Sequence, residues 1–177
     1  MDRLSEMDAM EAILSRRSIR KYRSEPVPRE VIDELLIAAM SAPSAGNEQP
    51  WHFVVIDDRE VLNKIPQFHP DSERSLSPPV AILVCGNLNE ERFKGMGFWV
   101  LDCSASTINL LTAVHAKGLG AVWSPVYPDE ERITDIRKLL GIPEHVVPFS
   151  LIPIGYPAEK KPPANRYDAS KIHRNHW

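Results

Sequence analysis

The densest chemistry in the 177-residue sequence is Arg16-Arg17-Ser18-Ile19-Arg20-Lys21-Tyr22-Arg23, where five cations and a serine stand within eight residues. A solvated helix end is the plain explanation, since basic residues complement the negative end of a helix dipole. Arginine outnumbers lysine in the run, however, and a guanidinium fork suits phosphate, while Ser18 adds a neutral donor. If the chain is extended here, residues 16, 18 and 20 share a face. Arg16 and Arg20 then stand about 13 Å apart at roughly 3.3 Å per residue. That separation suits a ligand with an anionic tail and a distant polar head. A second group lies in Pro43-Ser44-Ala45-Gly46-Asn47-Glu48-Gln49-Pro50-Trp51. A proline-bounded loop explains Gly46 and Asn47, but not Ser44, Asn47 and Gln49 together, which suit a polar heterocycle or a polyol. A third runs from Gly118 to Pro128. Gly118 reads as a helix C-cap, and no G-x-G-x-x-G exists. The strand end from Ser124 to Tyr127 can aim loop backbone at a ligand.

Other groups carry less. His173 and His176 lack a matching cluster of metal ligands. Ser104 and Ser106 lack the G-x-S-x-G elbow of a hydrolase. Asp102 reads as an isolated, satisfied core polar group. Cys85 and Cys103, the only cysteines, sit in apolar stretches and read as buried free thiols of a reducing compartment.

The elements that must position these groups follow from periodicity and punctuation. Residues 6–17 read as a helix with Met7, Met10, Ile13 and Leu14 on one stripe. Pro28 opens a second helix over 29–40, buried along Val31, Ile32, Leu35, Leu36 and Ala39. Residues 51–56 are β-rich, and Asp57 or Asp58 caps a short helix ending near Ile65. Residues 67–79 form a polar loop. Residues 80–85 are a strand apolar on both faces. Residues 97–117 form a helix apolar nearly all round, which demands burial on most sides. A short strand at 121–123 and a helix capped by Asp129 follow. In the last strand, 146–156, Pro148 and Pro153 predict an edge position or an interruption. The βα alternation predicts a parallel or mixed sheet covered by helices. Residues 1–156 form one domain and 157–177 its arm, which has Tyr167, Ile172 and Trp177 but no core pattern.

The formal net charge is −3, from 21 Lys plus Arg against 24 Asp plus Glu, which excludes a general coat for polyanions. Residues 1–8 carry acids and no apolar core, unlike a signal peptide. Residues 98–114 are too polar and too short for a membrane span. A cytoplasmic protein is the expectation, binding neither membrane nor nucleic acid.

Three stretches, "RRSIRKY" after the first helix, "PSAGNEQPW" before the first strand and "GLGAVW" before a loop, together with the ending "NRYDASKIHRNHW", resemble the FMN-dependent nitroreductase family. The resemblance runs from about residue 11 to residue 177. It implies an α/β fold, a three-layer α/β/α sandwich on a mixed, largely antiparallel sheet. It also implies a homodimer built on helix 97–117, with FMN at the subunit interface and the arm crossing to the partner. On that resemblance Arg16 and Ser18 hold the FMN phosphate with Arg17 between them, Arg20 sits at the flavin pyrimidine edge, and Arg166 closes on the phosphate. Ser44, Asn47 and Gln49 reach flavin from the partner subunit. Pro125, Val126 and Tyr127 face flavin N5. Pro125 has no N–H, so the expected N5 donor is Val126 or Tyr127. The family's polar contact in the loop after the first strand has no assignable match among His69, Asp71, Ser72 and Glu73.

The implied activity is an oxidoreductase. NAD(P)H passes a hydride to flavin N5 and leaves, and a nitroaromatic, quinone or similar acceptor takes its place, a ping-pong sequence that needs no protein base. The alternatives are an FMN store or sensor without turnover, and a reductive dehalogenase or flavin-degrading enzyme on the same fold.

Overall fold

The chain's own punctuation decides most boundaries. The computed structural model describes residues 7–67 and 78–177. Asp8 caps α1 (Ala9–Ser15), accepting from Met10 N–H at 2.8 Å and Glu11 N–H at 3.4 Å. This helix is shorter than expected and stops before Arg16. Its stripe is also not buried within the chain: Ala12 is, whereas Met10, Ile13 and Leu14 are exposed. Pro28 precedes α2 (Arg29–Met40), which buries Ile32, Leu35 and Ala39. β1 (Trp51–Ile56) leads through the Asp58 cap into α3 (Arg59–Leu62). β2 (Val80–Asn87), α4 (Phe98–Ala116), β3 (Gly120–Ala121), β4 (Ser124–Pro125), α5 (Glu130–Leu140) and β5 (Val146–Gly155) complete the chain.

The sheet order is β1-β2-β5-β3, with β4 also pairing β5. Every strand pairing is antiparallel. The parallel or mixed sheet expected from the βα alternation gives way to the largely antiparallel one that the resemblance implied, because periodicity gives element type and not strand direction. The one parallel contact is an isolated bridge, Ser18 to Ala121. Of the two outcomes expected for the last strand, edge or interruption, the second is found: β5 lies inside the sheet and is irregular at Pro148. Its prolines are accommodated locally. Val84 faces Ser150 while Cys85 faces Pro148, so Phe149 bulges out of the ladder beside Pro148. Pro153 falls between the pairings of β3 and β4, where no strand on that side needs its N–H.

Alternation along β2 builds three layers. Val80, Ile82 and Val84 join a core with α2 and α4, through Leu35, Ala39, Leu110 and Val114. Ala81, Leu83 and Cys85 join a second core with Leu62, Ile133 and Ile136 of α3 and α5. α4 turns Trp99, Cys103, Leu110 and Val114 inward but leaves Leu101 and Ile108 exposed, beside exposed Ile37 and Met40 of α2. No helix among the described residues is long and apolar enough to cross a membrane.

Candidate functional site

Past α1 the backbone becomes extended, with Arg16 at φ −54° and ψ 133°. The segment then lies as a ribbon along β3 and the start of the arm. Ile19 N–H donates to Ala121 O at 2.9 Å, Arg23 N–H to Tyr156 O at 2.9 Å, and Ala158 N–H to Lys21 O at 2.8 Å. The Tyr22 hydroxyl donates toward Ile19 O at 2.6 Å, with Pro153 O at 3.2 Å. Ile19 and Tyr22 are buried; Arg16, Arg17 and Ser18 are half-buried, and Arg20 is exposed. Gly120 permits the docking, since a Cβ there would stand 2.7 Å from Ile19 Cγ2. The chain is extended where it leaves α1, and Ile19 is its buried anchor on β3.

The ribbon's cations gather. The Arg16 guanidinium is held below its ordinary pKa by burial first, then by Arg166, then by Arg17. Arg166, 150 residues away in sequence, is thus brought beside the motif by its own arm. Arg17 has a structural occupation. It donates to Leu14 O (2.9 Å) and Arg16 O (2.6 Å), covering the open carbonyl end of α1, and to Pro162 O (3.0 Å), tying down the arm. The helix-end explanation of basic residues is realised at this position. The backbone N–H groups of Arg20 (2.6 Å) and Lys21 (3.2 Å) both donate to Glu159 Oε1. Glu159 also pairs with Lys161 at 2.7 Å, which holds its carboxyl below its ordinary pKa.

Sequence reasoning missed Glu159 and His115, which read as ordinary polar residues. Ser15 Oγ donates to Glu11 O at 2.6 Å and meets His115 Nε2 at 2.7 Å, so Nε2 carries the proton. Burial, Arg16 and Arg17 lower the His115 pKa, and Glu11 opposes them.

Ser44, Asn47 and Gln49 form one hydrogen-bonded turn. Gln49 N–H donates to Ser44 Oγ at 3.1 Å, Gln49 Nε2 to Asn47 Oδ1 at 2.8 Å, and Asn47 N–H to Ser44 O at 3.1 Å. Gly46, Asn47 and Gln49 have φ of 55°, 57° and 48°. The turn is tied to α4, where Ala45 N–H donates to Asp102 Oδ1 at 2.9 Å. Within the chain, its hydrogen bonds run to its own residues, to Asp102 and to Arg92, not to the ribbon.

At the end of β4, Pro125 is exposed, Val126 fully buried and Tyr127 half-buried. Val126 N–H and Tyr127 N–H both donate to Phe149 O at 3.0 Å. The bulge in β5 thus turns one carbonyl toward both of the N–H groups expected to face flavin N5. Tyr127 and Phe149 are stacked at 6.3 Å, and Trp99 meets Tyr127 edge-on at 4.9 Å. His69, Asp71, Ser72 and Glu73 lie outside the described residues. Among the described residues no group of His, Cys, Asp or Glu is arranged to hold a metal. His173 stacks on Trp177 at 4.3 Å. Asp102 was expected to be isolated and satisfied. It is neither, since Glu48 and Glu91 act on it and its Oδ2 is buried without a partner.

A three-layer frame carries clustered arginines on an extended ribbon, not at a helix N-terminus, and side-chain charge so placed suits an anionic, polar-headed ligand. The nitroreductase family model matches residues 13–79 and 77–156. A Methanothermobacter thermautotrophicus protein named "Putative NADH dehydrogenase/NAD(P)H nitroreductase" is 51% identical over 175 residues, spanning 99% of this chain and 91% of its own. A crystal structure of the same name from Parabacteroides distasonis superposes at a TM-score of 0.90 with 42% identity, covering 96% of this chain and 98% of that one. An FMN-dependent nitroreductase from Clostridium difficile R20291 superposes at 0.86 with 29% identity, over 95% and 99%. The chain belongs to the nitroreductase family and is a flavin oxidoreductase.

Proposed function

We propose that this chain binds FMN with its phosphate on Arg16, Ser18 and Arg166, and uses NAD(P)H to reduce electron-poor acceptors such as nitroaromatics or quinones. The observation that carries this reading is the cluster at Arg16. A half-buried guanidinium pressed by two further cations is relieved by an anion, and the arginine fork suits a phosphate group. The residues present therefore fit the cofactor. FMN when bound supplies hydride acceptance and donation at N5.

The chain's own residues bind, orient and enclose. Arg16 and Arg166 neutralise the phosphate, and Ser18 adds a neutral donor. Arg17 holds the ribbon to α1 and to the arm instead of spending its fork on the ligand. Arg20 stands at the pyrimidine edge, where positive charge raises the reduction potential. Pro125, Val126 and Tyr127 shape the wall beside N5, stiffened by the aromatic packing of Trp99, Tyr127 and Phe149.

Two copies complete the site. Exposed Leu101 and Ile108 on α4, Ile37 and Met40 on α2, and Ile13 and Leu14 on α1 supply an apolar face for a second chain. Ser44, Asn47 and Gln49 then serve the partner's flavin, and the arm beyond Pro162, exposed throughout, crosses over. The two buried thiols suit the cytoplasm. The test is to purify the protein, look for a yellow chromophore, and add NADH or NADPH without oxygen. Bleaching of the flavin, followed by recovery on adding a nitroaromatic or quinone, is expected. A colourless protein that takes up no FMN refutes the reading.

A further inference from the structure

Asp102 is 4% exposed, on the second turn of α4, and it touches the 44–49 turn. Its Oδ1 accepts from Ala45 N–H at 2.9 Å. Its Oδ2 is buried with no donor. Glu48, in the same turn, has the matching arrangement. Its Oε2 accepts from Arg92 N–H at 2.7 Å, and its Oε1 is buried with no donor. The same residue joins them: Ala45 N–H donates to Asp102, and Ala45 O accepts from Glu48 N–H at 3.1 Å, so both carboxyl groups belong to one corner, where Glu48 acts on Asp102.

Two carboxylates cannot satisfy this geometry, because each ionised carboxylate only accepts hydrogen bonds. Both ionised would leave two buried oxygens bare and repelling, a costly state. A single proton removes both defects by turning one acid into a donor to the other. A metal ion would also do so, but among the described residues no group of acidic, histidine or cysteine side chains is arranged to hold one.

We propose that Asp102 and Glu48 share one proton, and that this carboxyl pair is a positioning device fastening the 44–49 turn to α4. The surroundings favour the proton. Burial raises the Asp102 pKa; the Ala45 N–H works against it; the Glu48 hydrogen bond and the charges of Glu48 and Glu91 add to the rise. Glu91 approaches from the connection between β2 and α4 and is itself 9% exposed. Arg92, on the same connection, turns its guanidinium to Gly46 O at 3.3 Å. On the sheet side lie Cys103 and Cys85, whose thiols burial pushes upward, keeping them neutral. The turn so fastened carries Ser44, Asn47 and Gln49. The consequence for flavin rests on the proposed FMN reading, whereas the pair itself does not.

The test starts from the apoprotein as it assembles, with Asp102→Asn and Glu48→Gln. Each amide can replace the shared proton with an N–H donor. A carboxyl whose pKa is raised by folding binds more protons in the native state. Stability is then greatest below its ordinary value and falls as pH rises toward the raised value. Wild type should therefore lose thermal stability as pH rises above about 4. Asp102→Asn should lack that decline and exceed wild type by about 2–4 °C or more near neutral pH. The infrared spectrum of wild type should show a protonated-carboxyl band that Asp102→Asn removes. An Asp102→Asn protein less stable than wild type at neutral pH, with no such band in wild type, would overturn the pair and point to two ionised acids held by a cation. The FMN affinity of wild type relative to Asp102→Asn should fall several-fold over the same rise in pH. A constant ratio, with the stability and infrared results intact, would overturn only the assignment of the turn to flavin.

Discussion

Arg16 and Arg17 are neighbours with opposite assignments, and substitution should separate them. In the free protein Arg16 stands half-buried beside Arg17 and Arg166, so its charge is a burden until an anion arrives. Arg16→Gln should leave the apoprotein's melting temperature unchanged or raised. It should weaken FMN binding by the worth of one charge-assisted hydrogen bond. That worth is about 1.5–3 kcal/mol, or about 10- to 150-fold in Kd. Arg17 makes three hydrogen bonds to carbonyls, two closing α1 and one holding Pro162. Arg17→Ala should therefore lower the apoprotein's melting temperature. At about 0.5–1.5 kcal/mol per bond, and about 2–4 °C per kcal/mol for a chain of this size, the drop should be several degrees. Calorimetric titration of FMN and thermal unfolding without FMN give both numbers for both variants. The reasoning fails if Arg16→Gln binds FMN as tightly as wild type, or if Arg17→Ala loses FMN as severely while its melting temperature holds.

Arg20→Ala should lower the flavin midpoint potential while retaining FMN, with each 30 mV equal to about 1.4 kcal/mol for the two-electron couple; an unchanged potential removes Arg20 from the pyrimidine edge. Gly120→Ala should cost about 1–3 kcal/mol by overpacking, because the new Cβ meets the branched, stiff Ile19 at 2.7 Å and 2.8 Å; equal melting temperatures would show that the ribbon moves freely off β3. Burial first, then Arg16 and Arg17, makes His115 bind its proton less readily in the fold, so stability should fall as pH drops below its ordinary value of about 6.5; His115→Gln should reduce that slope, and an identical acid limb would refute the lowered proton affinity of His115. Truncation before Pro162 removes both Arg166 and the Arg17 anchor, and should lose FMN together with dimer mass in light scattering; a full-length monomer saturated with FMN would refute the shared site.

Much of this frame was legible because its signals are local. Pro28 marked the start of α2, and alternating volume along Val80 to Cys85 marked a strand buried on two faces. Direction was legible from the resemblance and not from periodicity. A connection holding a short helix looks alike whether the next strand returns parallel or antiparallel, and β1 and β2 are antiparallel. The stripe on α1 was read correctly as apolar, but an apolar face does not say which chain covers it, and Met10, Ile13 and Leu14 face outward. The basic ribbon stood out by composition. The division of labour between Arg16 and Arg17 did not, since it depends on which guanidinium reaches the end of α1. Asp102 looked solitary because Glu48 lies 54 residues earlier and meets it only through the fold.

The bulge in β5 makes the length of this strand as consequential as its composition. Over the stretch that pairs with β2, Phe149 is the one residue by which β5 exceeds its partner, and its carbonyl is the common acceptor for the two N–H groups that shape the 124–127 corner. Replacing its ring with another large apolar side chain would keep that carbonyl in place. Deleting the residue would restore an even ladder, yet it would take the acceptor away and leave Val126 and Tyr127 to find another. Insertions and deletions within residues 147–150 should therefore be tolerated less well than substitutions there, and natural variation in loop length should be confined to segments that carry no such count.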